Sequence, residues 1–227
     1  MAQSSALTEQ EILNICYSLT EGDADGWETT SDEYLAARIY ANAAIVKWEF
    51  YDNTVWRELW TTLTDASDGT KTLTAGTYAY DCPTDMRRPG SFIRTGGTTF
   101  WDLIKVENLA KYADTNGKFC WFTGSVKAGF KLNFNPNEVL ATGNLIEYEY
   151  YKQATTFTAI TSTSEVPDPY FIVYYVLARI VKNDGEDNTE ELQEADDRLE
   201  TMRVANMSGY FDVENTIEET RGEGFGK

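Results

Sequence analysis

The sequence predicts an α+β protein: a helical bundle from N- and C-terminal helices, with an antiparallel β barrel or sandwich domain inserted between them. Three observations carry this prediction. Apolar residues recur at helical spacing near both ends of the chain. Between those ends Thr, Tyr, Trp and Gly dominate, and turn signals come at roughly ten-residue intervals. From Pro169 a short block is apolar on every side, and such a helix must be buried all round. The implied divisions are an N-terminal helix pair over 1–53, a β domain over 54–165, a helical hairpin over 166–207 that packs on the first pair, and a tail over 208–227.

The first helix is announced by "LTEQEILNICYSL". Thr8 as N-cap and Glu11 three residues on form a capping box, and Ile12, Ile15, Cys16 and Leu19 follow at helical spacing. "EGDADGWE" breaks the chain with two glycines and several acids. Thr30 with Glu33 offers a second capping box, and Tyr34, Ala37, Ala41, Ile45 and Trp48 make the stripe of a helix over about 32–50. "VWRELWTTL", "GTYAYDCP", "GSFIRTG", "KFCWFTG", "AGFKLNF" and "NLIEYEYYK" are the strand candidates. In "AGFKLNF", Phe130, Leu132 and Phe134 alternate with Lys131 and Asn133, the period of a half-buried strand. Ile146, Tyr148 and Tyr150 likewise oppose Glu147, Glu149 and Tyr151. A short helix is expected near 106–113. Asp168 as cap and Pro169 in the first turn start the apolar helix, which runs to about Lys182. After the "NDGEDN" break, Leu192, Ala195, Leu199 and Met202 mark a second hairpin helix, with Glu194 and Arg198 spaced as an i,i+4 ion pair. From Ser208 the periodicity fades.

The chain has 227 residues, 42% of them hydrophobic and 14% aromatic, enough to fill a core and too aromatic for an intrinsically disordered chain. Its 37 acidic residues outweigh 19 basic ones, for a formal charge of −18. Gripping nucleic acid or anionic lipid requires clustered Lys and Arg, and the longest basic run is Arg87–Arg88. An acidic surface instead suits letting DNA slide past. There is no histidine, which removes Ser-His-Asp and Cys-His catalysis and histidine metal sites. Cys16, Cys82 and Cys120 are widely spaced and form no CxxC pair, so reduced, buried thiols are expected. The start lacks the pattern of a signal peptide, and the apolar block is shorter than a membrane span, so a soluble, non-secreted protein is expected.

Few motifs point to chemistry. "RGEGFGK" lacks the spacing and the flanking strand and helix of a phosphate loop. Asp23 and Asp25 lack the frame of a calcium loop. Asp85 beside Arg87 and Arg88 reads either as a catalytic acid or as an ion-pair cluster at a subunit contact. Trp56, Trp60, Trp101, Trp121, Tyr148, Tyr150 and Tyr151 read as core or interface residues, with a sugar-stacking platform as the alternative. No catalytic, cofactor or metal site is expected.

The order of these parts resembles the head-to-tail adaptor proteins of tailed bacteriophages. The resemblance rests on "YAYDCPTD", with Cys82 where leucine is usual, on "FNP" followed by "IEYEYYK", and above all on "VPDPYFIVYYVLARI" and the acidic helix after it. Pro167, Tyr170, Tyr174, Tyr175, Ala178 and Leu192 stand where such adaptors carry a proline-ended loop, a tyrosine-rich helix and a charged second helix. The resemblance implies a non-enzymatic virion protein at the neck, made in the host cytoplasm. It would form a ring of about twelve copies under the portal protein, extend the DNA channel and dock a tail, nozzle or tail-terminator protein. DNA would pass through the lumen without specific binding, and no membrane would be involved. The C-terminal tail becomes the candidate portal contact, with Tyr210, Phe211, Ile217, Arg221, Phe225 and Lys227. Tyr170, Tyr174, Tyr175, Arg179, Leu192 and Arg198 become candidates for the ring wall. The alternatives from other classes are a carbohydrate-binding or carboxylate-hydrolase tail module and a capsid decoration protein.

Overall fold

The computed structural model describes residues 6–22, 25–63, 72–112 and 115–222, with side chains described as far as Ser208. The chain forms two compact units. One combines Met1–Glu58 with Ala154–Lys227, and the other is Leu59–Gln153, inserted between those two segments.

The first unit is helical. Helix α1 (Glu9–Glu21) starts with the expected capping box: Thr8 Oγ1 accepts from the Glu11 N–H at 3.3 Å, and the Thr8 N–H donates to Glu11 Oε2 at 2.8 Å. Helix α2 (Asp32–Glu49) is capped by Ser31, whose Oγ accepts from the Tyr34 N–H at 3.1 Å. The cap therefore lies one residue beyond the expected Thr30. Adjacent hydroxyls compete for the same orphan amides, and the one in extended backbone wins. Helix α3 (Pro169–Asn183) is capped by the Asp168 carboxylate, which accepts from the Tyr170 N–H at 3.0 Å.

Helix α3 packs against α1, α2 and the last helix, α4 (Thr189–Gly222). Phe171, Ile172, Val173, Val176 and Ala178 are fully buried there, which explains the block that is apolar on every side. Helix α4 continues to Gly222, past the point where the sequence pattern fades. Residues 208–222 contain no proline, so the helix propagates although its apolar stripe has ended. Residues 154–165 group with this unit. Asn42 on α2 donates to the Phe157 carbonyl at 3.0 Å and accepts from the Phe157 N–H at 2.7 Å.

Among its described residues the second unit holds eight strands: β1 (Trp60–Leu63), β2 (Ala79–Asp81), β3 (Met86–Thr95), β4 (Thr99–Phe100), β5 (Asp102–Leu103), β6 (Phe119–Ser125), β7 (Gly129–Phe134) and β8 (Ile146–Lys152). They form two four-stranded sheets, β1-β8-β3-β4 and β2-β7-β6-β5. All pairs are antiparallel except β5 with β6. Among the described residues the sheets do not close into a barrel, because each keeps two edge strands. They share one apolar core, to which Leu63, Ile93 and Tyr148 contribute from one sheet and Tyr80, Leu132 and Phe134 from the other. The expected alternation in β7 and β8 places Leu132, Phe134, Ile146, Tyr148 and Tyr150 inward. Tyr151, on the other face of β8, is also buried, beneath Trp60 and Arg88. The segment expected to be a short helix is a 3₁₀ helix, Val106–Lys111.

Candidate subunit and docking surfaces

The ring-wall candidates cluster where α3 and α4 meet, and most of them are engaged within the subunit. Arg198 reaches from α4 to the start of α3. Its Nη1 donates to Asp168 Oδ2 at 2.9 Å and its Nη2 to Glu194 Oε1 at 2.7 Å. Its guanidinium lies over the rings of Tyr174 and Tyr170, at 5.0 and 5.5 Å from their centroids. Partial burial works against the Arg198 charge, but the Asp168 hydrogen bond and charge, with Glu194 behind them, outweigh it and raise its pKa. The residue thus caps α3 indirectly: it fixes the carboxylate that accepts the first helical amide. Tyr175 is buried, its hydroxyl accepts from Arg179 Nη2 at 2.7 Å, and Lys47 lies over its ring. Leu192 is half-buried, and Tyr170 is 45% exposed. Of the six candidates, Tyr170 offers the most surface to a neighbour.

A shallow cleft of about 190 Å³ runs beside this cluster, lined by Trp56, Arg57, Pro167, Asp168, Arg198 and Asn206 among others. Asn206 closes one side: its Nδ2 donates to the Val55 carbonyl at 2.8 Å, and its Oδ1 accepts from the Arg57 N–H at 3.1 Å. The cleft is smaller than the roughly 300 Å³ from which ligand pockets usually start. Asp168 and Arg198 pair with each other, and Arg57 Nη2 donates to the Ala205 carbonyl at 3.2 Å. Its geometry therefore suits a contact surface better than an enclosed reaction site.

In the sheet unit the candidate chemistry disperses. Asp85 Oδ1 accepts from the Tyr150 hydroxyl at 3.4 Å, while Arg88 stacks on Trp60 and Tyr151 rather than pairing with Asp85. Trp101, Tyr148, Tyr150 and Tyr151 are buried, Trp121 is half-buried and Trp60 is 38% exposed, so these rings do not line up as an exposed platform, and Trp56, in the helical unit, is buried as well. Among the described residues no group of three or more Cys, Asp or Glu is placed to hold a metal ion. No helix among them is long and apolar enough to cross a membrane.

The portal candidates Tyr210, Phe211, Ile217 and Arg221 lie beyond Ser208 on α4, where side chains fall outside the described residues, as do Phe225 and Lys227 altogether. The sequence reading missed the outward face of α2. There Leu35, Ile39, Val46 and Phe50 stand exposed along one side, while the stripe that the reading found is the buried side.

A helical unit knit around α3, with a two-sheet unit inserted in it, is the arrangement of parts that suggested a structural head-to-tail adaptor. The comparison with protein families agrees: the family model of the SU10 adaptor protein matches residues 19–214. The chain belongs to the SU10 adaptor protein family. The matched span takes in α2, all eight strands, α3 and most of α4, and stops short of Ile217, Arg221, Phe225 and Lys227. No curated protein is similar enough to count as a match.

Proposed function

We propose that this protein is the head-to-tail adaptor of a tailed phage, joining the portal to the tail at the virion neck. The observation that carries the reading is the family match across residues 19–214. In this reading about twelve copies close a ring under the portal and continue its DNA channel. A charge of −18 per copy, repeated around the ring, makes an acidic lumen that DNA crosses without sticking. Exposed acids gather at the turn between α3 and α4, with Asp184, Glu186, Asp187 and Glu190. The C-terminal stretch 209–227 is the portal contact, and the sheet unit faces outward or toward the tail.

Co-purification with the portal protein of the same genome tests this, with the mass of the complex read by native mass spectrometry. A portal carrying about twelve adaptor copies is the expected result, as is loss of that complex when the chain is truncated after Ser208. A complex that survives truncation moves the portal contact to the helices. Absence of any complex with an assembled portal refutes the function.

A further inference from the structure

Helix α2 is apolar on two opposite faces. One is buried, with Tyr34, Ala37, Ala41, Ile45 and Trp48 at 1% exposure or less. On the other, Leu35, Ile39, Ala43, Val46 and Phe50 follow one another at intervals of three or four residues, which puts them on one side of the helix. The four large ones are 43, 66, 42 and 60% exposed. At 1.5 Å per residue the stripe is about 22 Å long. Single exposed apolar residues are ordinary, but a line of them along a whole helix marks an interaction surface.

Charge says what covers it. Between Tyr34 and Trp48 there is no acidic residue, and the two cations, Arg38 and Lys47, are both paired within the subunit, with Glu9 and Asp196 at 2.6 Å each. Copies of a chain with charge −18 repel wherever their acids meet, and this neutral face is where two can approach at least cost. Size points the same way. A stripe about 22 Å long and one helix wide, about 10 Å, offers on the order of 220 Å², against about 800 Å² per partner in a stable pairwise interface. One such seam holds weakly, whereas the same seam repeated around a closed ring accumulates.

We infer that the outward face of α2 is a subunit–subunit seam, packed against a second copy of this chain. The inference rests on the ring reading above and deepens it by naming the face. Contacts in a closed ring are head-to-tail, so the neighbour answers with a different surface. The exposed apolar pair Val204 and Met207 on α4 is such a surface.

The test places the photo-cross-linking residue benzoylphenylalanine at position 39 of the full chain, with and without the cognate portal protein. The expected adduct has the mass of two adaptor chains, and adding Val46→Glu cuts its yield at least tenfold while circular dichroism stays unchanged. Adducts to the portal alone, or no two-chain adduct in a complex that does form, overturn the seam and leave the adaptor reading standing. If the unmodified chain fails to bind the portal, the adaptor reading fails instead. The portal-free sample at high protein and salt concentration then decides: a two-chain adduct supports the seam, and its absence overturns it.

Discussion

Asn42 is a polar residue in the middle of an apolar helix, and replacing it with alanine should cost more stability than any exposed change on α2. Its amide makes two hydrogen bonds to the backbone of Phe157, which is buried. Each bond contributes about 1 kcal/mol net, and each buried backbone group left without a partner adds to the loss, so Asn42→Ala should cost about 2–4 kcal/mol. For a chain of this size that is a fall in melting temperature of roughly 5–15 °C. Ala43→Asn puts the same amide on the exposed face and should cost only its helix propensity, about 0.5 kcal/mol. Thermal unfolding of both variants followed at 222 nm, with hydrogen exchange at Phe157, makes the comparison. An Asn42→Ala protein that melts within a degree of the parent, with Phe157 still protected, would show that the pair of bonds does not tie 154–165 to the helices.

Desolvation raises the thiols of Cys16 and Cys120 to about 12 and that of Cys82 to about 11, from an ordinary 9. Raised folded-state values mean that this contribution to stability is complete below pH 9 and is lost as pH climbs toward 11–12. The melting temperature should fall across that window, and native protein at pH 8 should react with a thiol reagent far more slowly than denatured protein; rapid labelling of all three would contradict the burial. Gly124 holds φ +99°, and an added Cβ would sit 2.1 Å from the Gly129 carbonyl oxygen, so Gly124→Ala should cost well over about 1 kcal/mol and loosen the β6–β7 hairpin, as read by near-UV dichroism. If copies meet through a neutral seam, raising salt from about 0.05 to 0.5 M screens their repulsion and should strengthen assembly; weakening under the same change would mean the contact is ionic.

What was legible in the sequence is what local chemistry decides. Thr8 with Glu11, Asp168 before Pro169, the alternation in β7 and β8 and the Glu194–Arg198 pair are read from neighbours, and each is present. The pairing of β8 with both β1 and β3 is not legible, because Trp60 finds Tyr151 across most of the inserted unit. The Arg198–Asp168 bridge and the clasp of Asn42 on Phe157 escape for the same reason. An asparagine inside a helix pattern signals nothing until its distant partner is placed. The outward stripe of α2 was hidden differently. When both sides of a helix are apolar the periodic signal cancels, and a reader keeps the first stripe that fits.

The split of the helical unit into two chain segments has a consequence for synthesis. Helices α1 and α2 leave the ribosome first, yet α3, on which they pack, follows only after the whole of Leu59–Gln153. At about 5–20 residues per second, that interval of roughly a hundred residues lasts some 5–20 s. Throughout it both faces of α2 are in water while the sheet unit, complete in itself, has time to fold. The nascent chain passes through a stage with one finished body and a two-helix fragment awaiting its partner, and that stage is where chaperone capture or premature association would act.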